Sequence, residues 1–426
     1  MMVRCIEAAN GPVDAVFDAM PSKSATHRAL IASALASGRS EIRGPLDSED
    51  TRRTLAGLRE LGVVVDEREG AWIVEGAGGV IPGGGSIDLG ASGTSARFLV
   101  ALASLGERPS VLDGSTRLRE RPMGELIGAL SSLGASIAQP SRQAWPLRAG
   151  GSSVRGGSVT LSGARSSQFA SALLLAASSF ERGVRLEVSS PRVSFAYVTL
   201  TVEMLESFGA VVVREGDAGF SMPRQRLRAA NVAIEGDHSS ASYLFAAAAI
   251  LGGRVRVQGL RVPSAQPDAR FLEDLRSIGC HVRADAGGVL VEGSGVVPAF
   301  SWDLADAPDL APTAAVLALF AEARCVLSGL KHLTLKESDR LATLRVNLAR
   351  LGAAVELDEG VISIDPPARG RATGAPIRVM DDHRMAMAFA IAGLRVTGTT
   401  IDQPESVAKS YPRFWEDLGS LIRTGN

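Results

Sequence analysis

Cysteine is scarce. The 426 residues hold three, Cys5, Cys280 and Cys325, far apart, odd in number and in no Cys-x-x-Cys or Cys/His spacing. That excludes a disulfide framework and a structural zinc site, and it fits a reducing compartment. An excess of either charge is missing as well: the formal net charge is −1, with basic and acidic residues spread along the chain. This argues against a nucleic-acid footprint or a membrane-surface patch. Any anion site has to be local. No uncharged run reaches the length of a transmembrane helix, and the opening "MMVRCIEAANGPVDAVFDAM" has no basic stretch followed by an apolar one. The expectation is a cytoplasmic protein with neither a membrane nor a nucleic-acid partner.

A chain of this length that is 46% hydrophobic and 21% charged exceeds the size at which a single core stops growing, so two domains are expected. A repeat organises it. Small, apolar helices open on a capping residue in "SATHRALIASALASG", "SGTSARFLVALASLG", "SSQFASALLLAAS", "SSASYLFAAAAILGG", "DLAPTAAVLALFAEA" and "DHRMAMAFAIAGL". Their starts, at 24, 92, 166, 239, 309 and 382, lie 68, 74, 73, 70 and 73 residues apart. A second, amphipathic helix ends in a glycine six times, at Gly62, Gly134, Gly209, Gly279, Gly352 and Gly419, where a C-cap would take the left-handed conformation. A strand-like hairpin such as "VVVDEREGAWIVEG" follows each of the first five. Each unit therefore reads as a buried helix, a strand, an outer helix and a hairpin.

After Gly419 too little chain remains for a hairpin, and strand-like residues precede the first helix, so the N-terminal strands are expected to complete the sixth unit. The division is then three plus three: residues 20–231 form one domain, and residues 1–19 with 232–426 form the other. The hinge falls near 19–21 and 231–236.

Buried helices side by side bring their N-termini to a common face, where free N–H groups and helix dipoles favour anions. About 0.3–1 kcal/mol per terminus falls short of the roughly 8 kcal/mol of micromolar binding, so cationic side chains must add the rest. Lys23, Arg28, Arg97, Arg121, Lys336, Arg340 and Arg384 lie at or near these starts, and Lys409 lies further along the sixth unit. Each alone suits a solvated loop or a capped surface helix. Their recurrence at equivalent points of a repeat points to an anion site. Asp309 and Glu337 lie among them, as a cap or dipole partner in the ordinary reading and as a general base in a cationic cleft. Ser166, Ser167 and Gln168 offer groups for a polyol or phosphate.

The stretches "SKSATHRAL", "LGASGTSARF", "RLRERPMGEL", "SSQFASALL", "DHSSASYLFAAAA", "PDLAPTAAVLALFA", "LKESDRL", "DDHRMAMAFA" and "AKSYP" stand in the order and at the approximate spacing of one family. Over essentially its whole length the chain resembles the 5-enolpyruvylshikimate-3-phosphate synthases. The resemblance implies a two-domain inside-out α/β barrel of six units. It also implies transfer of the enolpyruvyl group of phosphoenolpyruvate to the 5-hydroxyl of shikimate 3-phosphate, without metal or organic cofactor, by a monomer that glyphosate would probe. Carried over residue by residue, phosphoenolpyruvate falls to Lys23, Gly93, Arg121, Gln168, Arg340, Arg384 and Lys409. Shikimate 3-phosphate falls to Lys23, Ser24, Arg28, Ser166, Ser167, Gln168, Ser194, Tyr197, Asp309 and Lys336. Lys23, Asp309 and Glu337 are the implied catalytic groups.

The chain departs from the family's usual pattern in having Met20-Pro21 rather than glycine before "SKS", Ala91 rather than asparagine before "SGT", and His332 rather than asparagine ahead of the Lys336-Glu337 pair. Three rival readings differ in their demands. The related transferase acting on UDP-N-acetylglucosamine carries a cysteine in the loop that here reads "GSTRLRERP". A non-catalytic anion-binding paralogue needs no pair of carboxylates. The RNA 3′-phosphate cyclases, built on similar units, would carry a basic stripe.

Overall fold

The structure, a computed structural model, describes residues 2–139 and 145–423. The chain divides into two compact units, Pro21–Ile234 and Met1–Met20 with Glu235–Asn426. The strand Asn231–Ala233 pairs in parallel with Ser37–Arg43. That pairing carries the second crossing to residue 234, past the expected boundary at 231.

Among the described residues three inner and three outer helices alternate in each unit, with a further short helix at Thr116–Glu120 in the first. In Pro21–Ile234 they are α1 (Lys23–Leu35), α2 (Glu49–Glu60), α3 (Gly93–Ala103), α4 (Gly124–Ser132), α5 (Gln168–Ala177) and α6 (Ala196–Ser207). The other unit has α7 (His238–Leu251), α8 (Phe271–Ser277), α9 (Ala311–Leu319), α10 (Arg340–Arg350), α11 (His383–Gly393) and α12 (Phe414–Arg423). The odd-numbered helices are buried all round: every residue of α1 from Ala25 to Leu35 is buried, and so is every residue of α7 from His238 to Ile250. Their alanines and serines let α1, α3 and α5 touch one another, and likewise α7, α9 and α11. The even-numbered helices bury one stripe; in α10 it is Arg340, Leu341, Leu344 and Leu348, the spacing that keeps one face inward.

Sheets complete each repeat. In five of them an incoming strand pairs in parallel with the strand after the inner helix, which pairs antiparallel with the last strand of the hairpin. A parallel pair needs a crossover connection. The inner helix supplies it where the incoming strand directly precedes that helix, as in Gly157–Ser162 and Val184–Ser189, whereas the first and fourth units take their incoming strands from distant parts of the chain. The N-terminal strands serve two units. Val3–Cys5 pairs antiparallel with Thr400–Asp402 in the sixth sheet. Val13–Asp18, expected there too, instead pairs in parallel with Gly253–Gln258 of the fourth, because the fourth unit has no other incoming strand.

Gly62, Gly134, Gly209, Gly279 and Gly352 end their helices with positive φ, from 78° to 100°. Gly419 does not: α12 runs through it to Arg423, since no hairpin follows that would require the chain to reverse. Among the described residues no helix is long and apolar enough to cross a membrane.

Candidate functional site

Helix starts collect polar groups in each unit. In Pro21–Ile234, α1 is capped by Ser22, whose hydroxyl accepts from Ala25 N at 3.3 Å. The cap is two residues before the expected Ser24 and sets Lys23 in the first helical position. Pro21 directly precedes a cap with φ −65° and ψ 118°, an extended geometry that needs no glycine. Lys23 Nζ lies 2.9 Å from Asp50 Oδ2 in the first turn of α2, a partner that no motif indicated.

Beside it, Ser92 caps α3, and the next residue is the glycine "SGT" supplies. A Cβ on Gly93 would lie 2.1 Å from Arg97 Nη1 and 2.5 Å from Arg121 Cζ. The space that the missing side chain leaves is therefore filled by two guanidinium groups. Arg121, 7% exposed, donates to the Ala91 carbonyl at 3.4 Å, a main-chain bond that alanine makes as well as asparagine. Gln168 Nε2 donates to Thr94 Oγ1 at 3.0 Å and ties the start of α5 to that of α3. Ser167 occupies the cap position of α5 without a side-chain bond, while Ser166 Oγ accepts from Gln168 N at 3.3 Å.

Arg28 turns inward. It is 2% exposed and donates to Thr201 Oγ1 at 2.7 Å, the Ser24 carbonyl at 2.9 Å, the Tyr197 carbonyl at 3.2 Å and Ser171 Oγ at 3.3 Å. It thus braces α1 against α5 and α6, and burial lowers its pKa to about 10. Ser194, ahead of α6, has φ 55°, a left-handed conformation uncommon outside glycine. It is buried, and its hydroxyl has no hydrogen-bond partner among the described residues. Strain beside an unsatisfied polar atom is a pattern of binding sites.

The other unit gathers charge around one guanidinium. Arg340, 1% exposed, opens α10 and donates to Asp382 Oδ2 at 2.8 Å, Asp309 Oδ1 at 2.9 Å and Glu337 Oε2 at 2.7 Å. Arg384, in the first turn of α11, donates to Asp309 Oδ2 at 2.8 Å and to Ser239 Oγ. Asp309 was expected to open α9; it sits instead in a 3-10 turn, Pro308–Leu310, with no capping bond. Its carboxylate is thereby left to bridge two arginines. Ser239, likewise expected as a cap, yields that task to Asp237, which accepts from Ser240 N at 2.7 Å.

Burial pushes the Asp309 carboxyl up, but the charges of Arg384, Lys336 and Arg340 outweigh it and hold the group well below the usual carboxylate range. Asp382, 0% exposed, caps α11 and anchors Arg340 and Ser338. Lys409, 5% exposed, donates to the Asp381 carbonyl at 2.7 Å and pairs with its carboxylate, also at 2.7 Å. Met380, Asp381 and Gln403 around it all have positive φ. His332 is 3% exposed, with neither ring nitrogen hydrogen-bonded among the described residues. Burial and the Lys336 charge lower its pKa to about 3. Among the described residues no group of three His, Cys, Asp or Glu side chains is arranged to hold a metal ion.

One unit thus offers a lysine and two arginines at helix starts. The other offers Arg340, Arg384 and Lys409 with two carboxylates among them. The second set is able to hold phosphate and carboxylate groups and to move protons beside them.

The chain is similar to known proteins over nearly its whole length. The family model described as EPSP synthase (3-phosphoshikimate 1-carboxyvinyltransferase) matches residues 8–418. A 3-phosphoshikimate 1-carboxyvinyltransferase of Methanoculleus marisnigri is 44% identical over 422 residues, covering 98% of this chain and 99% of that protein. Its namesake in Methanosphaerula palustris is 41% identical, covering 96% and 97%. The solved EPSP synthase of Acinetobacter baumannii superposes with a TM-score of 0.80 at 28% identity, covering 99% of this chain and 98% of that one. The chain belongs to the EPSP synthase family.

Proposed function

We propose that the protein transfers the enolpyruvyl group of phosphoenolpyruvate to the 5-hydroxyl of shikimate 3-phosphate, releasing phosphate. The observation that carries this reading is Asp309 held between Arg340 and Arg384, with Glu337 on the same Arg340. Anion binding alone would need the arginines and not the two carboxylates.

In the addition step the 5-hydroxyl oxygen bonds to C2 of phosphoenolpyruvate, the hydroxyl proton passes to Asp309, and a proton from Glu337 makes the C3 methylene a methyl group. In the elimination the C2–O bond to phosphate breaks with its electron pair going to the phosphate oxygen, and Asp309 passes its proton to the departing phosphate. Glu337 takes a C3 proton back, restoring the double bond and the starting state of both carboxyl groups. Lys23, held by Asp50, supports the shifting charge. Gln168, Arg121, Arg340, Arg384 and Lys409 hold phosphoenolpyruvate beside Gly93. Ser24, Ser166, Ser167, Ser194, Tyr197 and Lys336 hold shikimate 3-phosphate, with Arg28 fixing Ser24 and Tyr197 from behind. The reading calls for no cofactor.

It also gives Asp309 a reason to begin as a weak base. Phosphoenolpyruvate competes for Arg340 and Arg384, and each cation it draws off returns basicity to Asp309.

The residues assigned to the substrates belong to both compact units, and we propose a hinge near 19–21 and 231–236. Solution scattering should record a smaller radius of gyration with shikimate 3-phosphate and glyphosate present; an unchanged radius counts against closure. We take the enzyme to be a cytoplasmic monomer. For the rival sugar-nucleotide acceptor the cysteines are unsuited: none lies in the 114–122 loop, and burial pushes the Cys280 thiol up to about 11 and raises that of Cys325.

The deciding assay supplies phosphoenolpyruvate with either shikimate 3-phosphate or UDP-N-acetylglucosamine and follows phosphate. Release is expected with the first alone. None with the first sinks the reading.

A further inference from the structure

The helices that begin at the charged cluster end at a second feature. Leu319 of α9 and Arg395, just past α11, border a cavity of about 570 Å³, and Ile250 of α7 borders a smaller hollow of about 320 Å³ that shares Gly295, Arg369 and Arg395 with it. Fourteen residues of α7 at about 1.5 Å each put roughly 20 Å between these ends and the starts. The cavity is a different place from the candidate active site. Its volume falls in the range of small-molecule sites, and its walls divide about evenly between apolar and polar surface: Val296, Leu319, Phe320 and Pro366 supply the first, Arg369 and Arg395 part of the second.

Arg395 is built in. One of its nitrogens, Nη1, donates to the Ile250 carbonyl at 2.7 Å, an orphan group at the end of α7, and to the Gly295 carbonyl of a neighbouring loop at 3.3 Å. Its guanidinium stands over the Phe320 ring, 5.1 Å from the centroid. That leaves Nε and Nη2 as donors. Arg369 enters from the 366–372 loop and is close enough that its charge, after burial, lowers the pKa of Arg395. The two like charges repel one another, with solvent screening part of that repulsion because Arg369 is exposed, and an anion between them would relieve the rest. Among the described residues no carboxylate forms an ion pair with either arginine. Glu322 borders the cavity without bridging them.

We propose that this cavity binds a small carboxylate carried on an apolar body, the carboxylate between Arg369 and Arg395 and the body against Val296, Leu319, Phe320 and Pro366. The carboxylate relieves the repulsion of the two guanidinium groups, and the walls supply burial that a hydrophilic anion could not use. The site is independent of the transferase reaction.

The test uses the full-length protein and 3-phenylpropionate, with 3-phenyl-1-propanol as its uncharged match, in a ligand-detected NMR titration. The acid should bind at least about tenfold tighter than the alcohol, as a charge-assisted bond requires, and less tightly in high salt. Because Arg395 also holds the end of α7, the informative variant is Arg369→Glu. It should lose the acid, keep its thermal transition and keep its rate of phosphate release. Glu322→Gln should bind the acid at least as well as the unmodified protein. No binding up to millimolar concentration, equal binding of acid and alcohol, or undiminished binding in Arg369→Glu would each overturn the proposal.

Discussion

Arg340 Nη1 lies 2.9 Å from Asp309 Oδ1, and the same guanidinium, 1% exposed, also holds Asp382 and Glu337. One cation therefore keeps three carboxylates together. Replacing it should leave them facing one another, with Asp382 fully buried. Removing one member of a buried pair costs about 3–5 kcal/mol, so Arg340→Met should lower the urea midpoint markedly and abolish turnover. Arg340→Lys should recover part of the stability but little activity, because an ammonium cannot reach three carboxylates at once. A midpoint unchanged in Arg340→Met would show that the cluster is not held by this residue.

Gly93→Ala tests the packing of the other unit. The new methyl group would have to displace Arg97 and Arg121, whose atoms stand 2.1 and 2.5 Å from its position. Both side chains are buried, so neither moves freely. The KM for phosphoenolpyruvate should rise about tenfold or more, the loss of one charge-assisted bond, with a smaller change in the KM for shikimate 3-phosphate. Equal changes in both would argue that the substitution disturbs the whole unit.

Asp50→Asn addresses the orientation of Lys23. The pair is largely buried, 13% and 10% exposed, which is more than a surface ion pair and less than a core one. The neutral side chain keeps the shape and loses the charge. kcat should fall about tenfold to a hundredfold, in line with 1.5–3 kcal/mol for a charged bond. Asp50→Glu should recover part of it. An unaltered kcat would mean that Lys23 is positioned by its helix alone.

His332 makes stability depend on pH. Burial and Lys336, with Arg340 adding to them and Asp309 opposing, lower its pKa to about 3, against about 6.5 in an unfolded chain. Between those values the unfolded chain holds the proton and the folded one does not, so stability falls as the pH falls across that window. One such group contributes about 1.4 kcal/mol per pH unit. His27, whose pKa burial also lowers to about 3, acts in the same direction. Denaturation of His332→Asn between pH 7 and pH 5 should show a slope smaller by about one proton. An unchanged slope would mean that His332 is protonated in the folded protein.

The repeat was legible because a helix start every 68 to 74 residues survives any error of one or two positions. Cap positions were less so. "SKS" and "DHSS" each offer more than one capping residue, and the chain uses Ser22 and Asp237 while Ser24 and Ser239 serve Arg28 and Arg384 through backbone and hydroxyl oxygens. Gly419 matched the other C-caps in spacing, yet α12 runs through it to Arg423. The cations were visible as a set; the carboxylates that aim them were not. Asp50 lies 27 residues from Lys23, Asp382 lies 42 from Arg340, and Asp381 lies 28 from Lys409. Such pairings are made when elements distant in sequence, helices included, pack within a repeat or against its neighbour, which no local pattern encodes.

Glu337→Gln tests the central claim most directly, because glutamine still offers an oxygen to Arg340 but cannot give or take a proton at C3 of phosphoenolpyruvate. Phosphate release and shikimate 3-phosphate binding should be measured on the same preparation. Turnover is expected to fall by about 10²–10⁴, the contribution of a general acid or base, with the affinity for shikimate 3-phosphate nearly unchanged. Near-normal turnover would contradict the account.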